Sequence, residues 1–415
     1  MRRNLLSLIF FVILSGRITV AADFQIKSLR VYSSADQTEF PLIDMKDSTR
    51  QTITIEFDLQ STYIPNLNIV FRFCNSGWVP YDNVFLMNPG YNTEYNLWFE
   101  RLPLRIKGAR YHYSGNFPNR NVTFPFSGKW IFQIVDSQNP DKVFATGRFY
   151  VVNPEVRIYS QINNERAQSF NSETADLNRT YIIRNTFDLP DSHFAAYVKS
   201  VEIIENRKIA DPVVINRNQY SPTRFYEWNG ANRFTFIARD LLPGNEYRQT
   251  DLRDYNRFNT QNVNAQYDGI ETSNFFKKGR RDLNGASFLT DFRNDYAEYL
   301  NVNFRIRPPD NITDPVFLVG SFNNWKVLPE YEMFDDNGLL NLSIELKRGI
   351  YDYQFVTAEI YENRINNVDW NILEGNYWDT LNEYHVFVFY ETPEKGGYDK
   401  IIGYKKIKSG ELWRN

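Results

Sequence analysis

An all-β fold of tandem sandwiches, immunoglobulin-like or early-set-like, is what this sequence predicts, and three observations carry the prediction. Short runs alternate apolar and polar residues, as in Ile53-Thr54-Ile55-Glu56-Phe57-Asp58-Leu59 and Leu67-Asn68-Ile69-Val70-Phe71-Arg72-Phe73. That is the period-two pattern of a strand with one buried face. Aromatic residues make up 16% of the chain, with 27 Tyr, 33 Phe and 8 Trp, and large flat side chains suit pleated sheets better than helices. Apolar residues at 42% against 23% charged supply sizeable cores over 415 residues, a length that corresponds to about two to four domains.

In chain order, Arg2 and Arg3 precede an apolar run from Leu5 to Leu14, followed by Ser15, Gly16, Ala21 and Ala22. This charged, apolar, small-residue order reads as a secretory signal over 1–22, cleaved near Ala21 or Ala22. Its roughly ten apolar residues, interrupted by Arg17, fall short of the ~20 that span a bilayer, and no cysteine stands there to take a lipid. An N-terminal sandwich is expected over 23–153, with strands at 53–59, 67–73, 130–135 and 147–152. Its middle is loop-rich around Pro80, Pro89, Gly90, Pro103 and Pro118, too broken for a long helix. Asn153-Pro154 sets the first boundary.

A middle β-domain is expected over 154–307. The short β-branched and aromatic runs at 180–187, 198–204, 233–238 and 299–305 read as its strands, and the Asn-rich connections at 216–218 and 257–266 as loops. Pro308-Pro309-Asp310 sets the second boundary. A C-terminal early-set-like sandwich is expected over 308–415. It opens with a buried strand at 316–320 running into the turn Phe322-Asn323-Asn324-Trp325. A hairpin follows at Asp335-Asp336-Asn337-Gly338, where Asn-Gly tolerates positive φ. Strands at 340–346, 351–356, 385–390 and 401–404 complete the pattern.

The chemistry is bounded as firmly. Lys and Arg number 47 against 50 Asp and Glu, a net charge of -3, which lacks the basic excess that a nucleic-acid backbone demands. His112, His193, His385 and Cys74 show no metal-ligand spacing, and Cys74, with no partner for an internal disulfide, reads as a small buried side chain. Glu359, Glu362, Asp369 and Glu374 cluster in sequence, yet no spacing selects a facing pair for glycoside hydrolysis, and they read as loop charges. Asp335-Asp336-Asn337-Gly338 lacks the closing bidentate Glu of a calcium loop. Phosphate loops, serine elbows and His-Glu metal pairs are absent. No catalytic, cofactor-binding or metal-ligating residue is nominated. The candidate ligand or interface aromatics are Trp78, Trp325, Trp370 and Trp378: Trp325, Trp370 and Trp378 suit stacking on a sugar, and equally the core of a sandwich.

Read together, a series of motifs resembles the plug proteins of the type IX secretion system of Gram-negative bacteria, over roughly 26–404. They are Cys74-Asn75 with Trp78 and Pro80, Tyr111-His112-Tyr113, Phe117-Pro118-Asn119 and Ser127-Gly128. Further along come Gly244-Asn245-Glu246-Tyr247-Arg248, Asp251-Leu252-Arg253, Asp282-Leu283-Asn284-Gly285 and Asp295-Tyr296-Ala297. The last are Leu373-Glu374-Gly375, Asn382-Glu383-Tyr384, Tyr398-Asp399 and Ile402-Gly403-Tyr404. Phe73 and Gly77 stand where the family usually has a histidine and an acid, so no polar role of that pair carries over. The 320–325 and 349–353 segments also resemble the early-set sandwich of glycogen-binding modules, a likeness of fold more than of ligand. The plug resemblance implies a periplasmic, non-enzymatic protein without a membrane span, whose partner is the outer-membrane translocon barrel of type IX secretion. The alternative from the aromatics is a carbohydrate-binding protein of the periplasm or cell surface.

Overall fold

The computed structural model describes residues 24–166, 179–290, 297–362 and 364–410; the expected signal segment over 1–22 lies outside them, as do Asp295 and Tyr296. The fold is all-β, as the alternation predicts. Helical elements among the described residues are three-residue 3-10 turns such as Ala195–Tyr197 and Pro329–Tyr331. No helix among them is long and apolar enough to cross a membrane.

The N-terminal sandwich packs a sheet built around Phe24–Ser33, Ile53–Ser61 and Tyr111–Phe117 against one built around Val143–Val152, Gly128–Asp136 and Leu67–Cys74. Alternation decides which side chains meet. Trp130, Phe132 and Ile134 point into the core with Ile55, Phe57, Phe71 and Phe149, while Lys129, next to Trp130 on the opposite face, points out of the sandwich toward Glu202. The strand Tyr111–Phe117 lies inside the stretch expected to be all loop; its mixed burial along YHYSGNF hides the period.

The middle sandwich pairs Tyr159–Arg166, Arg179–Asp188, Arg233–Leu241 and Arg224–Trp228 in one sheet. Its other sheet contains Val213–Asn216, Val198–Glu205, Glu383–Thr392 and Tyr398–Lys408. The strands at 385–390 and 401–404 therefore complete the middle sandwich, not the C-terminal one: Glu202 lies opposite Phe387, and Val388 opposite Gly403. The remaining sandwich is an insertion between Leu241 and Glu383. One of its sheets assembles on Ile350–Tyr361, flanked by Arg248–Asp251, Ser287–Phe288, Val316–Gly320 and Arg364–Asp369. The other assembles on Tyr299–Arg307 and Leu339–Lys347, with Asn262–Asn264 and Glu271–Thr272 running parallel to Tyr299–Arg307. The expected partition 154–307 and 308–415 thus gives way to a discontinuous middle sandwich with another inserted in it. Local pattern marks a strand, but its partner is chosen by buried faces far along the chain.

The insertion's two ends are tied together. Tyr377 N donates to Gly244 O at 2.8 Å and Gly244 N to Asn376 Oδ1 at 2.9 Å. Asn382 Nδ2 donates to Pro243 O at 2.6 Å. The expected turns form as read: Asn337 and Gly338 adopt φ of 56° and 79°, and Asn324 and Trp325 adopt 54° and 58° where the strand Val316–Gly320 ends.

Candidate interaction surface

The four tryptophans nominated from sequence do not form one site. Trp325 is 1% exposed; its Nε1 donates to Gly285 O at 2.7 Å and its ring packs 4.2 Å from Tyr247. It is a core anchor of the inserted sandwich. Trp370 packs half-buried on the same apolar cluster, under the ammonium of Lys208 at 4.6 Å. Trp378 lies at another place, beside Arg179, with its carbonyl accepting from Tyr181 Oη. Trp78 is wedged between the N-terminal and middle sandwiches, edge-on to Tyr150 at 5.2 Å and beneath Lys129 and Arg148, each at 4.8 Å.

The other polar motifs build the frame. Glu374 is not a loop charge: it accepts Arg248 Nε at 2.9 Å, and Arg248 also pairs with Glu271 at 2.8 Å, all buried. Asp282 and Asp352 cap the turn 282–286, with Asp352 Oδ2 accepting Leu283 N at 2.7 Å and Gly285 N at 3.0 Å. Burial pushes both carboxyls well above the usual carboxylate range, and for Asp282 the charge of Asp352 adds to it. Cys74 is buried, and burial pushes its thiol up to about 12, so it is inert at neutral pH. His385 is stacked 3.9 Å from Phe40 and kept neutral by burial, which pulls its pKa well down. No group of acids, histidines and cysteines among the described residues is placed to hold a metal ion.

Charge also joins the sandwiches. Asp58 of the N-terminal unit accepts from Lys347 Nζ at 2.8 Å and Tyr299 Oη at 2.9 Å, both of the inserted unit, and lies 2.7 Å from its own His112. Burial alone pushes the Asp58 carboxyl up, but the His112 hydrogen bond and the Lys347 charge together outweigh it and hold it below the usual range. Glu202 of the middle unit accepts from Lys129 at 2.7 Å and Tyr150 at 2.9 Å of the N-terminal unit. Phe387, Phe389 and Ile401 pack there on Tyr150 and Val152.

Several of the exposed large apolar side chains gather in one strip of the N-terminal sandwich. From Pro80 onward the chain runs back along the outer side of the strand Leu67–Cys74, pairing there through the short edge strand Thr93–Glu94 and fastened by Tyr81 N to Phe73 O at 3.0 Å, Phe71 N to Asn92 O at 2.8 Å and Leu97 N to Leu67 O at 2.9 Å. Leu86, Leu97, Phe99 and Leu102 turn inward and are buried. Between them Phe85 and Trp98 turn outward, 70% and 79% exposed, with Val84, Tyr91, Tyr95 and Leu104 also exposed. The eight residues of Leu67–Cys74, at ~3.4 Å each, spread these side chains over about 25 Å. Tyr63 and Ile64, likewise exposed, lead into the Leu67 end. An apolar display of this extent makes the strip a candidate interaction surface. Sequence reading took this stretch only as loop; its available signal was aromatic richness in a segment with no strand partner to bury it.

Comparison with known proteins places this strip in a recognisable unit. Residues 26–153 match the family described as type 9 secretion system plug protein 1st domain. Among curated proteins no significant match is found. Among solved structures, a hypothetical protein from Parabacteroides merdae ATCC 43184 superposes with a TM-score of 0.74 at 20% identity, over 92% of this chain and 97% of that one; at that identity the likeness concerns the fold alone. A 1.5-MDa bacterial ice-binding adhesin aligns with a TM-score of only 0.16 at 8% identity, over 92% of this chain and 96% of that chain, too low for a shared fold. The matched segment ends where the strand Val143–Val152 does, and it includes Trp78 and the whole exposed strip: residues 26–153 of this chain belong to the first-domain family of type 9 secretion system plug proteins.

Proposed function

We propose that this protein is a periplasmic, non-enzymatic plug that binds the outer-membrane translocon of type IX secretion and closes its periplasmic opening while no cargo passes. The observation that carries the reading is the family match over 26–153; the exposed apolar strip within that segment is the surface best suited to the contact. A channel wide enough for folded cargo leaks unless a removable stopper closes it. A contact made and broken repeatedly favours aromatic anchors on a preformed surface over a large obligate interface. The glycan-binding alternative needs Trp325, Trp370 and Trp378 as stacking platforms, but Trp325 is buried with its indole N–H already bonded and Trp378 lies apart, beside Arg179.

The test is co-purification from the native envelope through a C-terminal tag, comparing the unaltered protein with a Phe85→Asp/Trp98→Asp variant. The expected result is a giant outer-membrane barrel in near-stoichiometric amount with the former and its loss with the latter. Recovery of the unaltered protein alone overturns the function. Retention of the barrel by the variant overturns the assigned surface and leaves the function standing.

A further inference from the structure

Where the three sandwiches meet there is a cleft with a cavity volume of about 80 Å³, room for several waters or one small ion. All three units line it: Arg30 and Arg148 come from the N-terminal sandwich, Arg207 from the middle one, and Ser321, Trp325 and Lys326 from the inserted one. Four cationic side chains face it, and no Asp or Glu lines it among the described residues.

Three of these four cations lack a directly paired carboxylate among the described residues. Arg30 is ion-paired with Glu56, yet its Nε is buried without a hydrogen-bond partner. Arg207 donates to the Glu39 carbonyl, which carries no charge to offset its own. Arg148 lies over the Trp78 ring. Among the described residues neither Arg148, Arg207 nor Lys326 has a carboxylate at ion-pair distance; the nearby acids are engaged elsewhere, Glu39 with Arg50 and Glu383 with Lys406 and Lys408.

Burial disfavours the charges of Arg148, Arg207 and Lys326, lowering Arg207 to about 10. Like charge adds to this across unit boundaries: Arg30 acts on Arg207, and Arg148 on Lys326. Partly buried like charges held together on three separate units weaken the junction unless an anion sits among them. Arginine forks and a lysine ammonium are the donors that recognise tetrahedral oxyanions.

We propose that this cleft is a binding site for a small multivalent oxyanion of the phosphate class, and that the bound anion ties the three sandwiches together at their common corner. The site is independent of the docking strip, which lies along the outer side of the strand Leu67–Cys74.

The experiment uses the mature chain, exchanged into phosphate- and sulfate-free buffer and titrated calorimetrically with inorganic phosphate, against sodium chloride at matched ionic strength. The variants are Lys326→Gln and Arg148→Gln, both lining the cleft and neither in an ion pair among the described residues; circular dichroism checks that both fold. Saturable 1:1 binding of phosphate, weakened about tenfold or more in each variant as expected for loss of a charge-assisted hydrogen bond, supports the site. Absence of saturable binding beyond the chloride control overturns it, as does binding that neither variant weakens. Competition by glycerol 1-phosphate assigns the site to phosphomonoesters such as lipid headgroups, and failure to compete assigns it to the free anion; either result supports the oxyanion class.

Discussion

At the scale of single residues, the molecule depends on a few carboxylates whose protonation is set by position. Asp58 faces Lys347, His112 and Tyr299, so Asp58→Ala leaves the buried Lys347 ammonium without its counter-charge. We expect a loss of about 3–5 kcal/mol, read by chemical denaturation. The carboxyl is held low in the native state, so its contribution is present above the unfolded value of about 3.9 and is lost as pH falls through the lower native value. Melting temperature should fall steeply on acidification below about pH 4, and Asp58→Asn should flatten that limb. Asp282 and Asp352 act with the opposite sign. Their native values are raised, so the native state keeps a proton after the unfolded chain has released it. Their contribution is full below about pH 4 and declines as pH rises toward neutrality. Asp282→Asn should make stability less dependent on pH between about 4 and 7; an unchanged slope there refutes the assignment.

At the scale of elements, the two aromatics Trp325 and Trp98 divide the roles that sequence could not separate. Trp325 closes the turn after Val316–Gly320 and is buried against Tyr247, so Trp325→Ala should lower stability by about 3–5 kcal/mol through the cavity it leaves. Trp98 projects outward from the exposed strip, so Trp98→Asp should change stability by no more than about 0.5 kcal/mol. Urea titration of both variants decides it. Most strands were legible, because 53–59, 67–73 and 130–135 each present one apolar and one mixed face, and Asn337-Gly338 announced its hairpin. The strand Tyr111–Phe117 was not, since partial burial on both faces leaves no clean period. The exposed strip was illegible for a related reason: a large aromatic side chain in sequence does not say which side of a sheet edge it will lie on.

At the scale of the whole molecule, the plan is two sandwiches side by side with a third inserted into the second. Truncation after Arg307 removes Glu383–Thr392 and Tyr398–Lys408, half of one sheet of the middle sandwich. That fragment should therefore lose the middle sandwich, and limited proteolysis should cut it within 154–241 while sparing 26–153; a protease-resistant middle segment contradicts the topology. The C-terminal boundary was out of reach of sequence reading. The strand Glu383–Thr392 is buried on both faces, with Val386 and Val388 in the middle core and Phe387 and Phe389 against the N-terminal sandwich. A run that is apolar throughout identifies no neighbour.

The same insertion sets a timetable. Lys199 and Asp399, whose ion pair joins the two halves of the middle sandwich, are 200 positions apart in the chain. A growing chain reaches the second half of that sheet only after the entire inserted unit has emerged. Until then Val198–Glu205 has an unsatisfied edge, and contacts across such a separation form slowly. The middle sandwich is therefore the last part to close, and its closure certifies that every residue up to Lys408 has arrived.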